Sequence, residues 1–105
     1  MSDIKTEIES FITNEAQPMI NEYYTKQYAS LRVPTLSVSY GRKYAKIMSD
    51  TSVWSFIALT DDLFKNEVIG DMLKPASWRT PAKHSRGNIL NGTASYGVYG
   101  PSYLN

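Results

Sequence analysis

The spacing of apolar residues changes at Pro34, and that change restricts the chain more than any other feature it has. Before it, Ile4, Ile8, Phe11, Ile12, Met19, Ile20 and Tyr23 recur at three- and four-residue steps with acids and amides between them. That is the period of an amphipathic helix, and at this spacing such a stripe is normally core packing. After it, Leu36, Val38 and Tyr40 alternate with Thr35, Ser37 and Ser39, the period of a strand covered on one face. Pro34 pushes Val33 out of the helical region, so the helix is expected within residues 1–31 and strands within 35–105, all in one domain. Ser2 or Asp3 can cap the helix. Pro18 has no N–H to donate to the turn before it, which predicts a kink or two short helices with Pro18 in the first turn of the second.

Beyond Tyr40, Gly41-Arg42-Lys43 supplies a turn, Tyr44 to Ser49 a second strand, Asp50-Thr51 another turn, and Ser52 to Thr60 a third strand. The run Val53-Trp54-Ser55-Phe56-Ile57-Ala58-Leu59 is apolar on both faces, so both faces must be covered. A fourth strand is expected around Met72-Leu73 with a bend at Gly70-Asp71. Pro75 and Pro81 bracket an ordered loop carrying Trp78 and Arg79. Residues 88–90 and 94–99 are candidates for a last short strand about the Asn91-Gly92 turn, and the tail with Tyr96, Tyr99 and Tyr103 is aromatic enough to dock. A helix followed by about five short strands is too little sheet for a sandwich. The expected fold class is all-β with an N-terminal helix (α+β): a strongly bent, five-stranded small β-barrel.

Leu, Ile, Val and Phe make up 22% of the 105 residues, enough for a core but not a generous one, so edge-to-edge self-association around a symmetry axis is expected. The chain has no cysteine and one histidine, His84. Disulfides, thiolate metal sites, cysteine nucleophiles and two-histidine sites are thereby excluded, and no metal or cofactor is expected. The first fifteen residues hold four acids and do not read as a secretory signal, and no segment approaches a membrane span, which predicts a soluble cytoplasmic protein.

The net charge of +1 conceals segregation: residues 1–31 sum to −3, residues 32–60 to +3, residues 61–73 to −3, and residues 74–105 to +4 with no acid. The last block carries Lys74, Trp78, Arg79, Lys83, His84 and Arg86. Cations two to five residues apart on a constrained loop can follow phosphates while an indole offers a stacking face, which makes this run the leading candidate for nucleic-acid binding. The alternative is that Trp78 plugs the core and the cations solvate the surface. A second candidate set, Arg42, Lys43 and Lys46, lies on the first hairpin, where exposed cations are also ordinary. Asp61, Asp62, Glu67 and Asp71 lack the spacing of a calcium loop; they read as a solvated loop or as a contact for the basic face of a neighbouring subunit. The sole nucleophile-and-base combination, His84 with Asp71 and Ser77 or Ser85, lacks any supporting motif, so no catalytic residue is expected.

The runs PTLSVSYGRKYAKIM (34–48), SVWSFIAL (52–59), GDMLKPASWRTPAKHSRGNIL (70–90) and YGPSYL (99–104) resemble a large family of small proteins from marine phages and ocean metagenomes. The resemblance implies an Sm-like fold, with an N-terminal helix, a bent five-stranded barrel and assembly into homo-oligomeric rings, here a pentamer to heptamer, in the cytoplasm of an infected host. Arg86-Gly87-Asn88-Ile89 is similar to the second RNA-binding motif of Sm proteins, while the companion first motif is not recognisable between residues 35 and 60. Two functions are therefore expected to compete. One is a non-catalytic ring module that binds RNA or single-stranded nucleic acid, without membrane or small-molecule substrate. The other is a structural or protein-interaction component of a phage.

Overall fold

Helix formation starts at Asp3, whose carboxylate accepts a hydrogen bond from the Lys5 amide at 3.0 Å. In the computed structural model, which describes residues 3–102, α1 spans Ile4–Phe11, a π-helical turn spans Ile12–Ala16, and α2 spans Gln17–Gln27. The π turn answers the Pro18 problem. A proline ring collides with the carbonyl four residues back, and here the Gln17 N–H instead reaches the Ile12 carbonyl five residues back, leaving Pro18 at the start of α2. The same wide turn keeps one stripe facing inward. Ile8, Ile12, Ala16 and Ile20, all buried, are spaced by four, a step that overshoots an ideal α-helical turn by about 40° each time. A π turn takes up part of that drift. Ser2 and Tyr103, the other proposed cap and the last tail tyrosine, lie outside the described residues.

Five strands follow: β1 Leu36–Tyr40, β2 Tyr44–Ser49, β3 Ser52–Ala58, β4 Asp71–Pro75 and β5 Pro81–Asn88. They form one antiparallel sheet in chain order, so the protein is α+β, an N-terminal helix on a five-stranded sheet. The sheet is not closed, because β1 and β5 are its two edges and do not pair. Two further short strands, β6 Tyr96–Gly97 and β7 Gly100–Pro101, make a separate ribbon. This corrects the sequence reading in two places. Lys83, His84 and Arg86 lie on β5, not on a loop, and residues 89 and 90, part of the candidate strand 88–90, instead join the expected turn at Asn91-Gly92. The buried Asn88 decides the latter: its side chain accepts from the Leu90 amide at 2.8 Å and donates to Ile69 O and Asp71 Oδ1 at 2.8 and 3.0 Å, which ends the strand and turns the chain.

The register divides the sheet into two faces. Ala45, Ile57 and Met72 stand opposite one another across β2, β3 and β4 and join Ile47, Leu36 and Trp54 against the helical stripe. On the other face, Lys46, Phe56 and Leu73 are cross-strand partners, next to Tyr44 and Ala58. Phe56 is only 3% exposed, so β3 is covered on both sides, as its composition requires. Bulges at Ile47/Met48 and at two places between β4 and β5 bend the strands. The C-terminal segment closes the helix side: Trp54 donates its indole N–H to Val98 O at 3.0 Å and stacks edge-on with Tyr96, which does the same with Phe11.

Two side chains tie the helix to the first strand. Gln17 donates to Pro34 O at 3.0 Å and accepts from the Leu36 amide at 2.7 Å, while Tyr40 donates its hydroxyl to Glu9 Oε2 at 2.7 Å. Replacing Gln17 by Ala strands a partly buried amide, and Gln17→Ala is expected to lower unfolding free energy by about 1–3 kcal/mol in a urea titration. Burial first, and then the Glu9 carboxylate, push the Tyr40 phenol up to about 12. Because that folded-state value exceeds the unfolded one, the Tyr40 contribution to stability is complete below pH ~10 and is lost as pH rises through about 12. Spectrophotometric titration at alkaline pH should show one fewer late-ionising phenol in Tyr40→Phe.

Candidate nucleic-acid interface

The turn after β1 projects Arg42 and Lys43 into solvent and is anchored from behind by hydrogen bonds from Gly41 N to Tyr44 O and from Leu59 N to Lys43 O. Lys46 follows on β2 on the same face as Tyr44 and Phe56. On the opposite edge of this face, the β4–β5 loop is tightened by Ser77, whose hydroxyl accepts from the Arg79 and Thr80 amides while the Ala76 and Ser77 amides donate to Thr80 O. This rigid loop folds over the sheet and lays the Trp78 ring 4.7 Å from the Lys46 ammonium.

The result is a groove of about 370 Å³ between the first hairpin and the β4–β5 loop. Its cations are Arg42, Lys43, Lys46 and Arg79, its aromatic lining is Tyr40, Tyr44 and Phe56, and no carboxylate lines it. The two ion pairs among the described residues, Lys26–Glu22 and Arg32–Asp50, involve none of these four. Tyr44 is held neutral at the groove wall: burial raises its phenol, and the hydrogen bond to Glu67 at 2.7 Å raises it further, against the opposing pull of Lys65. The two basic sets that the sequence presented separately thus meet, with Arg79 joining the first hairpin and Trp78 capping Lys46.

The other candidates do not join them. Lys74 donates to Pro101 O at 2.8 Å, and Arg86 donates to Ser102 O at 2.9 Å and to His84 O. Both therefore clamp the C-terminal segment. Burial, then the Arg86 charge, lowers the Lys74 ammonium from its ordinary value. The Arg86-Gly87-Asn88-Ile89 run is likewise structural here: Gly87 sits at φ +97°, and a Cβ there would lie 2.0 Å from Thr93 O. Lys83 and His84 are exposed on β5 outside the groove. Trp78 is 54% exposed, which removes the reading in which it plugs the core.

The acidic loop is not simply solvated either. Asp61 accepts from the Ile69 amide, Asp62 from the Phe64 and Lys65 amides, Asp71 from the Val68 amide and the Asn88 side chain, and Glu67 from Tyr44. These carboxylates fold the loop. Asp71 and the hydroxyls of Ser77 and Ser85 are all engaged with neighbours other than His84, so the structure does not assemble the nucleophile-and-base combination. Sequence reasoning missed Tyr44 and Phe56 as groove floor. The signal was present in the register, since Phe56 stands opposite Lys46 once the two hairpins are aligned.

The fold is thus that of a small α+β protein with a basic groove on the sheet face away from its helix. The chain belongs to a Family of unknown function (DUF7717), whose model matches residues 2–99. No curated protein and no solved structure matches it. Among the described residues, no helix is long and apolar enough to cross a membrane.

Trp78→Ala separates an exposed ring from a core plug. It should cost no more than about 1 kcal/mol, the scale of an exposed cation–π contact, whereas a core Trp would cost about 3–5 kcal/mol. Thermal or urea unfolding of the variant measures the difference.

Proposed function

We propose that this protein is a non-catalytic nucleic-acid-binding module, with single-stranded RNA as its ligand, and that it works as a homo-oligomeric Sm-like ring. One observation carries the binding half of this reading: four cations from two separate hairpins converge on one groove with no carboxylate among them. A bound anion relieves the mutual repulsion of like charges gathered in one place, and a polyanion with flat bases fits both the cations and the neighbouring exposed indole. The resemblance to the marine-phage proteins supports the ring and the barrel-like curvature, as do the bulges that bend the sheet and its two unpaired edges. In that reading the edges are satisfied by copies of the same chain. The protein acts in the cytoplasm of a host cell, where it holds a strand by its phosphates and does no chemistry on it.

Binding of a single-stranded RNA should weaken steeply with salt, with a slope of about −0.7 for each phosphate contacted. Arg79→Glu and Arg42→Glu should each cut affinity at least tenfold and flatten that slope, while Lys83→Glu, outside the groove, should leave both near the parent values. Equal binding by Arg79→Glu and the parent, or equal damage from Lys83→Glu, would remove the groove from the account. The second reading, a protein-interaction component, draws on a different observation: an apolar pair at the tip of the β3–β4 loop.

A further inference from the structure

Trp78 stands between two recesses of different character. One is the basic groove, which Lys46 and Arg79 line. The other is a shallow recess of about 330 Å³ between the β2–β3 turn, Thr51 to Val53, and the start of the β4–β5 loop, Pro75 to Trp78. Lys46 lines the first and not the second, Trp78 the second and not the first, and the Lys46 ammonium lies 4.7 Å from the indole centroid. The stacked pair is therefore the partition between them. Lys46 meets the ring from the basic side, and the exposed remainder of the ring is a wall of the second recess.

That second recess is uncharged. Among the described residues its lining is the hydroxyls of Thr51, Ser52 and Ser77 and the apolar surface of Val53, Pro75, Ala76 and the indole. Asp50, next to Thr51 in the chain, takes no part, because its carboxylate accepts from the Arg32 guanidinium at 2.8 Å and from the Thr35 amide at 3.1 Å. Both walls are fixed by the fold. Ser52 is paired with Ser49 and Pro75 with Pro81, and the Ala76 and Ser77 amides donate to Thr80 O. The Ser77 hydroxyl accepts from the Arg79 and Thr80 amides and keeps its own hydrogen to donate. A phosphate entering here would lose water and gain no cation. A flat neutral ring with polar edges gains a stacking face and hydroxyl partners.

We propose that this recess takes one unpaired nucleobase of the strand whose phosphates lie in the basic groove. The step in charge across a single side chain names the occupant: a charged groove adjoins a neutral recess, and each unit of a nucleic acid joins an anionic phosphate to a neutral ring. Arg79 follows Trp78 in the chain, so a phosphate contact is placed directly beside the stacking ring. Lys46 holds that ring in place from behind. A base seated against Trp78 has left the stack of its neighbours, which selects a single strand with a base turned out over a duplex. The inference rests on the RNA reading above and adds to it a separate site for the base, so that affinity depends on the bases as well as on the phosphates.

Binding of the full chain to oligoadenylate and to an abasic sugar-phosphate strand of equal length tests this. The parent should prefer oligoadenylate by about tenfold or more, the scale of one base stacked on an aromatic ring. Trp78→Ala, which removes the wall, and Ala76→Leu, which fills the recess without adding charge at an exposed position, should both bring that ratio close to one. Trp78→Tyr, which restores an aromatic face, should recover most of it. Arg79→Glu should weaken both strands alike and keep the ratio. Fluorescence gives a second reading, since the other indole, Trp54, is buried and bonded to Val98 O: oligoadenylate should quench the parent's emission and the abasic strand should not. Equal binding of the two strands by the parent, or a ratio unchanged in Trp78→Ala and Ala76→Leu, would overturn the base site and leave the basic groove standing. Failure of the parent to bind either strand at low salt would overturn the basic groove, and the base site with it.

Discussion

The central strand β3 has to be kept dry on both faces, and the rest of the structure is arranged to do it. Its residues from Trp54 to Ala58 are all buried. One face is covered by the helical stripe and the C-terminal segment, through Ile8, Ile12, Ile20 and Tyr96. Among the described residues the helical segment Ile4–Gln27 serves that first face alone; on the other face the β4–β5 loop lays Trp78 over Lys46, the cross-strand partner of Phe56. That shelter is incomplete at its margin, and the gap is the basic groove. The basic groove is therefore a by-product of how a short chain buries a two-sided strand.

Covering the helix face depends on keeping a four-residue apolar repeat in phase over three turns. The π turn before Pro18 does this, and Gln17, the first residue after that turn, is the one that bonds to both Pro34 and Leu36. A residue placed by the proline's irregularity thus fixes the helix to the sheet. Trp54 plays the corresponding part at the other end of the chain. Its indole holds Val98, and Gly100 is needed because a Cβ there would come 2.5 Å from Trp54 O.

Charge is allocated between structure and surface in a way that blocks of sequence do not reveal. Within one basic block, Lys74 and Arg86 spend their donors on main-chain carbonyls of the C-terminal segment, while Arg79 joins the cations of the first hairpin. Within one acidic block, the carboxylates cap amides of their own loop.

Local periodicity was enough to place the helix, the discontinuity near Pro18, the turn at Gly41 to Lys43 and β1 to β3 within a residue or two, because each of these is determined by neighbours in the chain. The later strands were harder to read. β5 carries no alternating apolar pattern, since Lys83, His84 and Arg86 put polar side chains on both of its faces, and its pairing with β4 is broken by two irregularities. The sequence by itself determined which residues could serve a basic site and that β3 must be buried. Only the tertiary structure decided which cations remain available, because the partners that occupy Lys74 and Arg86 are backbone carbonyls, present at every residue and therefore without a signature in the sequence.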